Sequence, residues 1–381
     1  MRPERHSETA LSQSGPRLFR APGRVNLIGE HTDYNDGYVF PQAIDRYVWV
    51  EALPWAEPVI EVWSEALSAS ARFELQSAPV GDWSDYARGV AALLRVRGLL
   101  RHGGALRIRS TLPLGGGLSS SAALEVAVAL ALLGLNGKQL PPMELARLCQ
   151  RAEHEYPKMR CGIMDQFIVT HAQEGAALML DCRSLEHRQV RLPDGDIRLV
   201  VANTMVKHEL AASAYNQRRR ECEEAARLLG VASLRDVTPG EFHAKSRLLP
   251  EPVRSRARHV VEENARVLFF AQALERGDWR EAGELMAESH DSLKNLYQVS
   301  CPELDFMVDA GRQLGSLGSR MTGGGFGGCT IHFVRAEQAE GFSAELATCY
   351  RRHFGIRAQI FPCLAAGAAC EVLPAGSASG T

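Results

Sequence analysis

The chain has 381 residues, 45% of them hydrophobic and 23% charged, the proportions of an ordinary folded protein rather than a disordered or fibrous one. Lys and Arg number 43 against 45 Asp and Glu, a formal net charge of −2, which gives no electrostatic footprint for nucleic acid or an anionic membrane. The longest apolar run, Val126 to Leu135, is far shorter than the ~20 residues that cross a bilayer, and the polar N-terminal stretch MRPERHSETALSQSGPR lacks the apolar stretch of a secretory signal. Small-molecule partners and a cytoplasmic location are therefore expected. The length suggests about two domains with room for a cleft between them. Nine cysteines, an odd number with no Cys-x-x-Cys pair, argue against a zinc ribbon or a disulfide framework.

In chain order, the first fifteen or so residues are expected to fray. RVNLIG and YVF read as strands joined by a tight turn at Asp36-Gly37. From Arg46 to about Gln76, the segments RYVWVEA, PVIEVWSE and ARFEL alternate β-branched and aromatic residues, which predicts antiparallel strands. DYARGVAALLRVRGLL switches to a helical period. ALRIRSTLP returns to strand, with Leu106 and Ile108 on one face. SSSAALEVAVALALL is apolar all round and predicts a buried helix, and PPMELARLCQRAEHEY a second helix with proline at its start. AALMLDC and DIRLVVANT follow, and Tyr215 to Tyr297 is almost wholly helical in pattern. GGCTIHFV, a helix near 336–350 and the strand-like RAQIFPC close the chain, and the final EVLPAGSASGT is expected to fray. A boundary near 190–210 divides the chain into units of 16–195 and 196–367, both α+β, with no internal repeat.

Three stretches carry chemistry. The first, GRVNLIGEHTDYNDGY at 23–38, gathers Glu30, His31, Thr32, Asp33, Asn35 and Asp36 behind an apolar run, with Arg24 at its front. A calcium loop starting at Asp33 is ruled out, because its fifth and twelfth positions would be Gly37 and Ile44. What remains suits either a polyhydroxylated ligand, since carboxylates and an imidazole pair with hydroxyls, or a solvated loop of turn formers.

The second, LPLGGGLSSSAALEVAVAL, places Gly115, Gly116 and Gly117 after a predicted strand and Ser119, Ser120 and Ser121 at the start of an apolar helix. Close backbone approach, unpaired N–H groups at a helix start and hydroxyls suit a phosphate. No Gly-Lys-Ser/Thr follows, so the Walker P-loop is disfavoured. The third, MTGGGFGGCTIHFV, satisfies G-x-G-x-x-G at Gly323, Gly325 and Gly328 but runs into a strand rather than a helix, so the dinucleotide reading fails. A loop packing on a substrate or nucleotide, or a close-packed turn, remains.

GRVNLIGEHTDYNDGY resembles, nearly residue for residue, the signature of the galactokinases. LPLGGGLSSSAALEVA and MTGGGFGGC resemble the second and third motifs of the wider GHMP small-molecule kinase family, and CQRAEHEYPKMRCGIMDQF and MAESHDSLKNLYQVSCPELD resemble further galactokinase segments. The resemblance implies the two-domain α+β GHMP kinase fold, with an N-terminal domain like domain 2 of ribosomal protein S5, a ferredoxin-like C-terminal domain and the site between them. It implies transfer of the γ-phosphoryl of ATP to the C1 hydroxyl of α-D-galactose. By the same resemblance Asp165 matches the catalytic aspartate and Arg24 its arginine partner. Glu30, His31 and Asp33 match positions that hold the C6, C3 and C4 hydroxyls, with Thr32, Gly162 and Tyr215 completing the pocket. Gly115, Gly116, Gly117, Leu118, Ser119, Ser120 and Ser121 would wrap the phosphates, and Ser121 and Glu153 would hold Mg²⁺. Trp83 is a candidate for stacking on adenine, and a monomer is expected.

A guanidinium beside Asp165 would favour its ionised, weakly basic form. Phosphoryl transfer tolerates a weak base because its transition state is loose and positioning and charge stabilisation dominate. Two rivals are an N-acetylgalactosamine kinase and a non-catalytic transcriptional sensor of sugar and ATP; the intact SSSAAL run and Asp165 favour the enzyme.

Overall fold

The computed structural model describes residues 15–113, 116–192, 195–207 and 211–373. Gly115, one of the expected phosphate-loop glycines, lies outside them. In chain order the elements are β1 (Arg17–Asn26), β2 (Tyr38–Val39), β3 (Pro41–Pro54), β4 (Val59–Ser64), β5 (Ala69–Glu74), α1 (Asp85–Val96), β6 (Gly104–Ser110), α2 (Ser120–Leu135), α3 (Pro142–Glu155), α4 (Met164–His171), β7 (Ala176–Asp181) and β8 (His187–Arg191). Then come β9 (Ile197–Lys207), α5 (Ala211–Leu229), α6 (Pro239–Lys245), α7 (Val253–Glu275), α8 (Trp279–Ser292), α9 (Pro302–Gln313), β10 (Gly318–Thr322), β11 (Gly327–Arg335), α10 (Ala339–Phe354), β12 (Gln359–Cys363) and β13 (Cys370–Val372).

The first sheet has the order β13-β1-β3-β6-β4-β5. Its alternating residues Val48, Val50 and Ala52 on β3, Ile60 and Val62 on β4, and Leu106 and Ile108 on β6 point into the core. Helix α2 packs on β1 and β3 and is wrapped by α1 and α3, which is why it carries Ala, Val and Leu on every side. The second sheet, β10-β11-β9-β12, is antiparallel throughout and is covered by α8, α9 and α10. A small sheet, β2-β7-β8, completes the strands.

β3, β4 and β5 run antiparallel in succession, as expected, with β4 paired to β5 and β6 lying between β3 and β4, antiparallel to β3 and parallel to β4. Alternation reports which face of a strand is buried and carries no information about its neighbour. Three expectations need correction. The turn at Asp36-Gly37 is not tight. Leu27 and Ile28 are bonded to Phe40, and a wide loop between them contains a 3₁₀ turn, Asp33–Asn35, closed by the Thr32 carbonyl accepting the N–H groups of Asn35 and Gly37. The last helix runs later than expected, to Phe354, after a 3₁₀ turn at Ala336–Gln338. Finally, EVLPAGSASGT does not all fray: Glu371 and Val372 lie in β13 against β1, where Arg17 forks its Nε and Nη2 onto the Glu371 carboxylate at 2.7 and 2.6 Å.

Besides β13, four elements were not anticipated: α4, β8, α9 and β10. β10 is buried along its whole length, so it lacks the alternation that marks a half-exposed strand. α4 has eight residues, too few for a helical period to declare itself.

Candidate active site

The site is assembled where the C-terminal end of β1, the start of α2, the start of α4 and the β10–β11 loop meet. Arg24, on β1, is buried, and its guanidinium is fixed on two sides. Nε and Nη2 donate to Oδ1 and Oδ2 of Asp165, both at 2.8 Å, while Nη1 donates to the Gly117 carbonyl at 2.6 Å. Asp165 lies in the first turn of α4 with its side chain 23% exposed. Its Oδ2 also accepts a hydrogen bond from the Ser119 hydroxyl. One arginine and one serine thus tie the catalytic candidate to the glycine-serine loop.

That loop keeps the start of α2 open. Ser119 adopts a left-handed conformation at φ 56°, uncommon for a residue with a Cβ, and makes no side-chain cap because its hydroxyl is turned onto Asp165. The N–H groups of the first turn therefore face a cavity of about 350 Å³ lined by Gly117, Ser119, Ser120 and Ser121 together with Arg24, Glu30, His31, Asp33, Glu153, Asp165 and Tyr215. Gly323 to Phe326 form its far wall. At Gly323, φ is +87° and an added Cβ would stand 2.7 Å from the Gly117 carbonyl oxygen, so the third motif is glycine where it packs on the second.

Of the sugar-signature residues, Glu30, His31 and Asp33 line the cavity. Glu30 accepts the Gly323 N–H at 3.0 Å. Burial raises its carboxyl's proton affinity, and Arg320, at 2.5 Å from Oε2, opposes the rise. His31 sits among Tyr34, Tyr215 and Tyr297, and burial holds its imidazole down to about 3, so it is neutral. Nε2 must then donate to the Gly324 carbonyl, at 3.2 Å, and Nδ1 accepts from the Tyr34 hydroxyl, at 2.7 Å. Both ring nitrogens are thereby engaged, and a bound hydroxyl would share Nε2–H with that carbonyl. The Asp33 carboxyl is pushed up to about 6 by burial and by the charge of Asp165. Its Oδ1 accepts the Tyr34 N–H at 2.9 Å, and its Oδ2 rests on Gly162, where a Cβ would lie 1.9 Å away.

Four predicted residues do not face the cavity. Gly162 lies behind Asp33 and makes room for it. Thr32 is buried, its hydroxyl within reach of the Gly29 and Tyr38 carbonyls at 2.8 and 2.6 Å, so it ties the loop together. The Leu118 side chain is in the core, as an apolar residue flanked by glycine and serine would be. Gly116 packs near Asn203 and Cys329.

Behind Glu153 lies a group absent from the sequence-based site. Glu153 Oε2 accepts from Gln166 Nε2 at 2.6 Å and from the Cys161 thiol at 3.3 Å, and Ser121 also hydrogen-bonds it. The same Gln166 amide donates to the fully buried Glu125 at 3.2 Å, whose other oxygen has no partner. Burial and Glu153 push the Glu125 carboxyl well up, and burial and Asp165 push Glu153 up. Glu125 sits in a run of Ala, Val and Leu, a signal that could have been noticed: an acid on a helix with no polar face has to be buried.

Beside the first cavity, and sharing Tyr86, Ser120 and Ser121 with it, is an apolar chamber of about 180 Å³ walled by Val48, Leu67, Trp83, Ile108 and Leu124.

Comparison with known proteins bears on this geometry. The GHMP kinase N-terminal domain model matches residues 85–173, the galactokinase galactose-binding signature 4–54 and the GHMP kinase C-terminal model 270–352. The chain is 46% identical to a galactokinase of Roseiflexus sp. over 93% of both chains, and 42% identical to one of Thermococcus kodakarensis over 90% of this chain and 96% of that one. The crystal structure of Lactococcus lactis galactokinase complexed with galactose superimposes with a TM-score of 0.90 at 33% identity, covering 96% of this chain and 97% of that one. Methanococcus jannaschii mevalonate kinase, 20% identical, shares the fold at a TM-score of 0.68 over 93% of this chain and all of that one.

Proposed function

This chain belongs to the galactokinase family of GHMP kinases, and on that premise we propose that it transfers the γ-phosphoryl of ATP to the C1 hydroxyl of α-D-galactose. The observation that carries the proposal is the junction of Arg24, Asp165, Gly117 and Ser119 on the cavity that Glu30, His31 and Asp33 also line. A sugar held by the signature residues lies beside Asp165, and a triphosphate at the start of α2 lies beside the same carboxylate.

In this reading the apolar chamber with Trp83 takes the adenine, and Ser119, Ser120, Ser121 and the free N–H groups of α2 take the phosphates. Asp165 holds the C1 hydroxyl in line and accepts its proton late, as a loose transition state allows. Arg24 orients that carboxylate and adds positive charge where the transferring group is most negative.

Mg²⁺ fits the donors available. Burial and a neighbouring carboxylate raise the proton affinity of both Glu125 and Glu153, as in acids with no cation beside them, and one Glu125 oxygen is without a partner. Among the described residues no cluster of three or more protein ligands is arranged for a metal ion, which suits an ion that takes one or two carboxylates and completes its shell with phosphate and water. Ser121 and Glu153 would hold it, and when bound it would offset charge on the β- and γ-phosphates.

The units 16–195 and 196–367 are proposed as the two domains flanking the site, and the protein as a cytoplasmic monomer without nucleic-acid or membrane partners. The near-neutral net charge supports small-molecule rather than nucleic-acid partners; among the described residues no helix is long and apolar enough to cross a membrane.

A panel of sugars with ATP and Mg²⁺, scored for anomeric phosphate, tests the assignment: galactose should lead. Preferential turnover of N-acetylgalactosamine would reassign the acceptor, and tight binding of sugar and ATP without ADP release would make the chain a sensor. Asp33→Ala should raise the galactose KM by about tenfold or more with less effect on kcat, since it removes a half-buried acceptor of sugar hydroxyls. An unaltered KM would place the loop away from the sugar. Because the Asp33 carboxyl sits at about 6, kcat/KM for galactose should fall as pH drops through that value and Asp33 takes up a proton. Asp33→Asn should remove that limb.

A further inference from the structure

Glu30 is the one carboxylate of the sugar signature that is held entirely from the second half of the chain. Arg320, on β10, is fully buried and reaches across to the end of β1, where Nη1 donates to the Asn26 and Leu27 carbonyls, each at 3.1 Å. Its Nη2 donates to Ser289 Oγ at 2.9 Å and stands 2.5 Å from Glu30 Oε2. From α7, the equally buried Glu263 accepts the Gly29 N–H at 2.9 Å and the Ser289 hydroxyl at 2.6 Å, and its other oxygen accepts from Arg266 Nε at 2.8 Å. His259 Nε2 meets the Glu30 carbonyl at 3.1 Å. The backbone at 26, 27, 29 and 30 and the Glu30 carboxylate are therefore pinned one after another. None of Arg320, Glu263, Ser289 and His259 lines the cavity.

An arginine taken out of water is costly unless it is paired, and an apolar residue of similar volume would serve a core at least as well. The fold spends this arginine on the main chain and carboxylate of one loop. We propose that Arg320 and Glu263, linked through Ser289, are positioning residues that aim the Glu30 carboxylate at the sugar and so set selectivity for a hexose with a free C6 hydroxyl. This rests on the functional reading above and on the match of Glu30, by resemblance, to the position that holds that hydroxyl. Both groups act through Glu30 and the Gly29 N–H, so their removal should be felt by the sugar and not by the nucleotide.

The test compares wild type with Glu263→Gln, Arg320→Lys and Ser289→Ala, using galactose, 6-deoxygalactose and ATP as varied substrates. Wild type should prefer galactose to its 6-deoxy analogue by about 10²-fold or more in kcat/KM, because the analogue offers the buried Glu30 carboxylate a methyl group in place of a hydroxyl. In Glu263→Gln and Arg320→Lys the galactose KM should rise about 10-fold or more, the ATP KM should change by less than about twofold, and the preference over 6-deoxygalactose should collapse towards unity. Ser289→Ala, which loses only the bridging hydroxyl, should shift the same quantities about threefold. An unchanged preference in folded variants, with only the melting temperature lowered, would overturn the proposal. If Arg320→Lys fails to fold, Glu263→Gln and Ser289→Ala decide it by the same ratio. A wild-type enzyme inactive on galactose would instead overturn the functional reading, and this inference with it.

Discussion

Asp165→Ala should lower kcat by about 10³-fold or more while the ATP dissociation constant changes by less than about threefold. The carboxylate makes three side-chain hydrogen bonds, two from Arg24 and one from Ser119, and among the described residues it is the acid that both of these groups hold. Alanine frees the Ser119 hydroxyl but removes no N–H group from the start of α2, since those belong to the backbone, and the apolar chamber is bounded by other residues. In the proposed reaction it removes the group that holds the acceptor hydroxyl in line, so the loss belongs in kcat and not in ATP affinity. Asp165→Asn should be almost as inactive: its amide NH₂ would face a guanidinium donor, breaking the fork that orients both partners. Steady-state ADP release alongside calorimetric ATP binding separates the two effects. Activity within tenfold of wild type would remove Asp165 from the reaction.

What the sequence shows and what it hides divide along physical lines. Alternation in β3, β4 and β6 and the all-apolar α2 were legible because each reports a local environment, a sheet face or a fully wrapped helix. The pairing of β6 between β3 and β4 was not, since it depends on where the chain returns after α1. Arg24 and Asp165 are 141 positions apart, and only resemblance put them together; no periodicity carries a contact of that range. Thr32 and Leu118 were grouped with their neighbours by adjacency in a motif, yet one is a loop tie and the other a core residue, because successive side chains point in different directions. Arg320, Glu263 and Gln166 escaped notice for a third reason. In SRMT, VEENAR and MDQF each reads as a polar residue free to face water, and only the packed structure shows that it faces inward.

Replacement of Arg24 by Lys should reduce kcat/KM for galactose by about 10²-fold or more, although formal charge is kept. The guanidinium uses its Nε–Nη2 edge for both oxygens of Asp165 and its Nη1 for the Gly117 carbonyl, so one planar group fixes the angle between α4 and the phosphate loop. An ammonium ion is a compact point charge on a flexible stem; it can satisfy the carboxylate or the carbonyl with good geometry, not both. Free of one partner, either Asp165 swings relative to the acceptor hydroxyl or the loop loses its hold on Gly117, whose carbonyl also sits against Gly323. The two failures have different signatures. A misaligned carboxylate lowers kcat with KM for ATP preserved, whereas a loosened loop raises KM for ATP as well. Arg24→Ala, which abandons both contacts and leaves Asp165 with Ser119 alone, should show both together and exceed the lysine variant in loss. Near-wild-type turnover in Arg24→Lys would mean that charge alone suffices at this position, and that the shared grip on Asp165 and Gly117 has no part in the reaction.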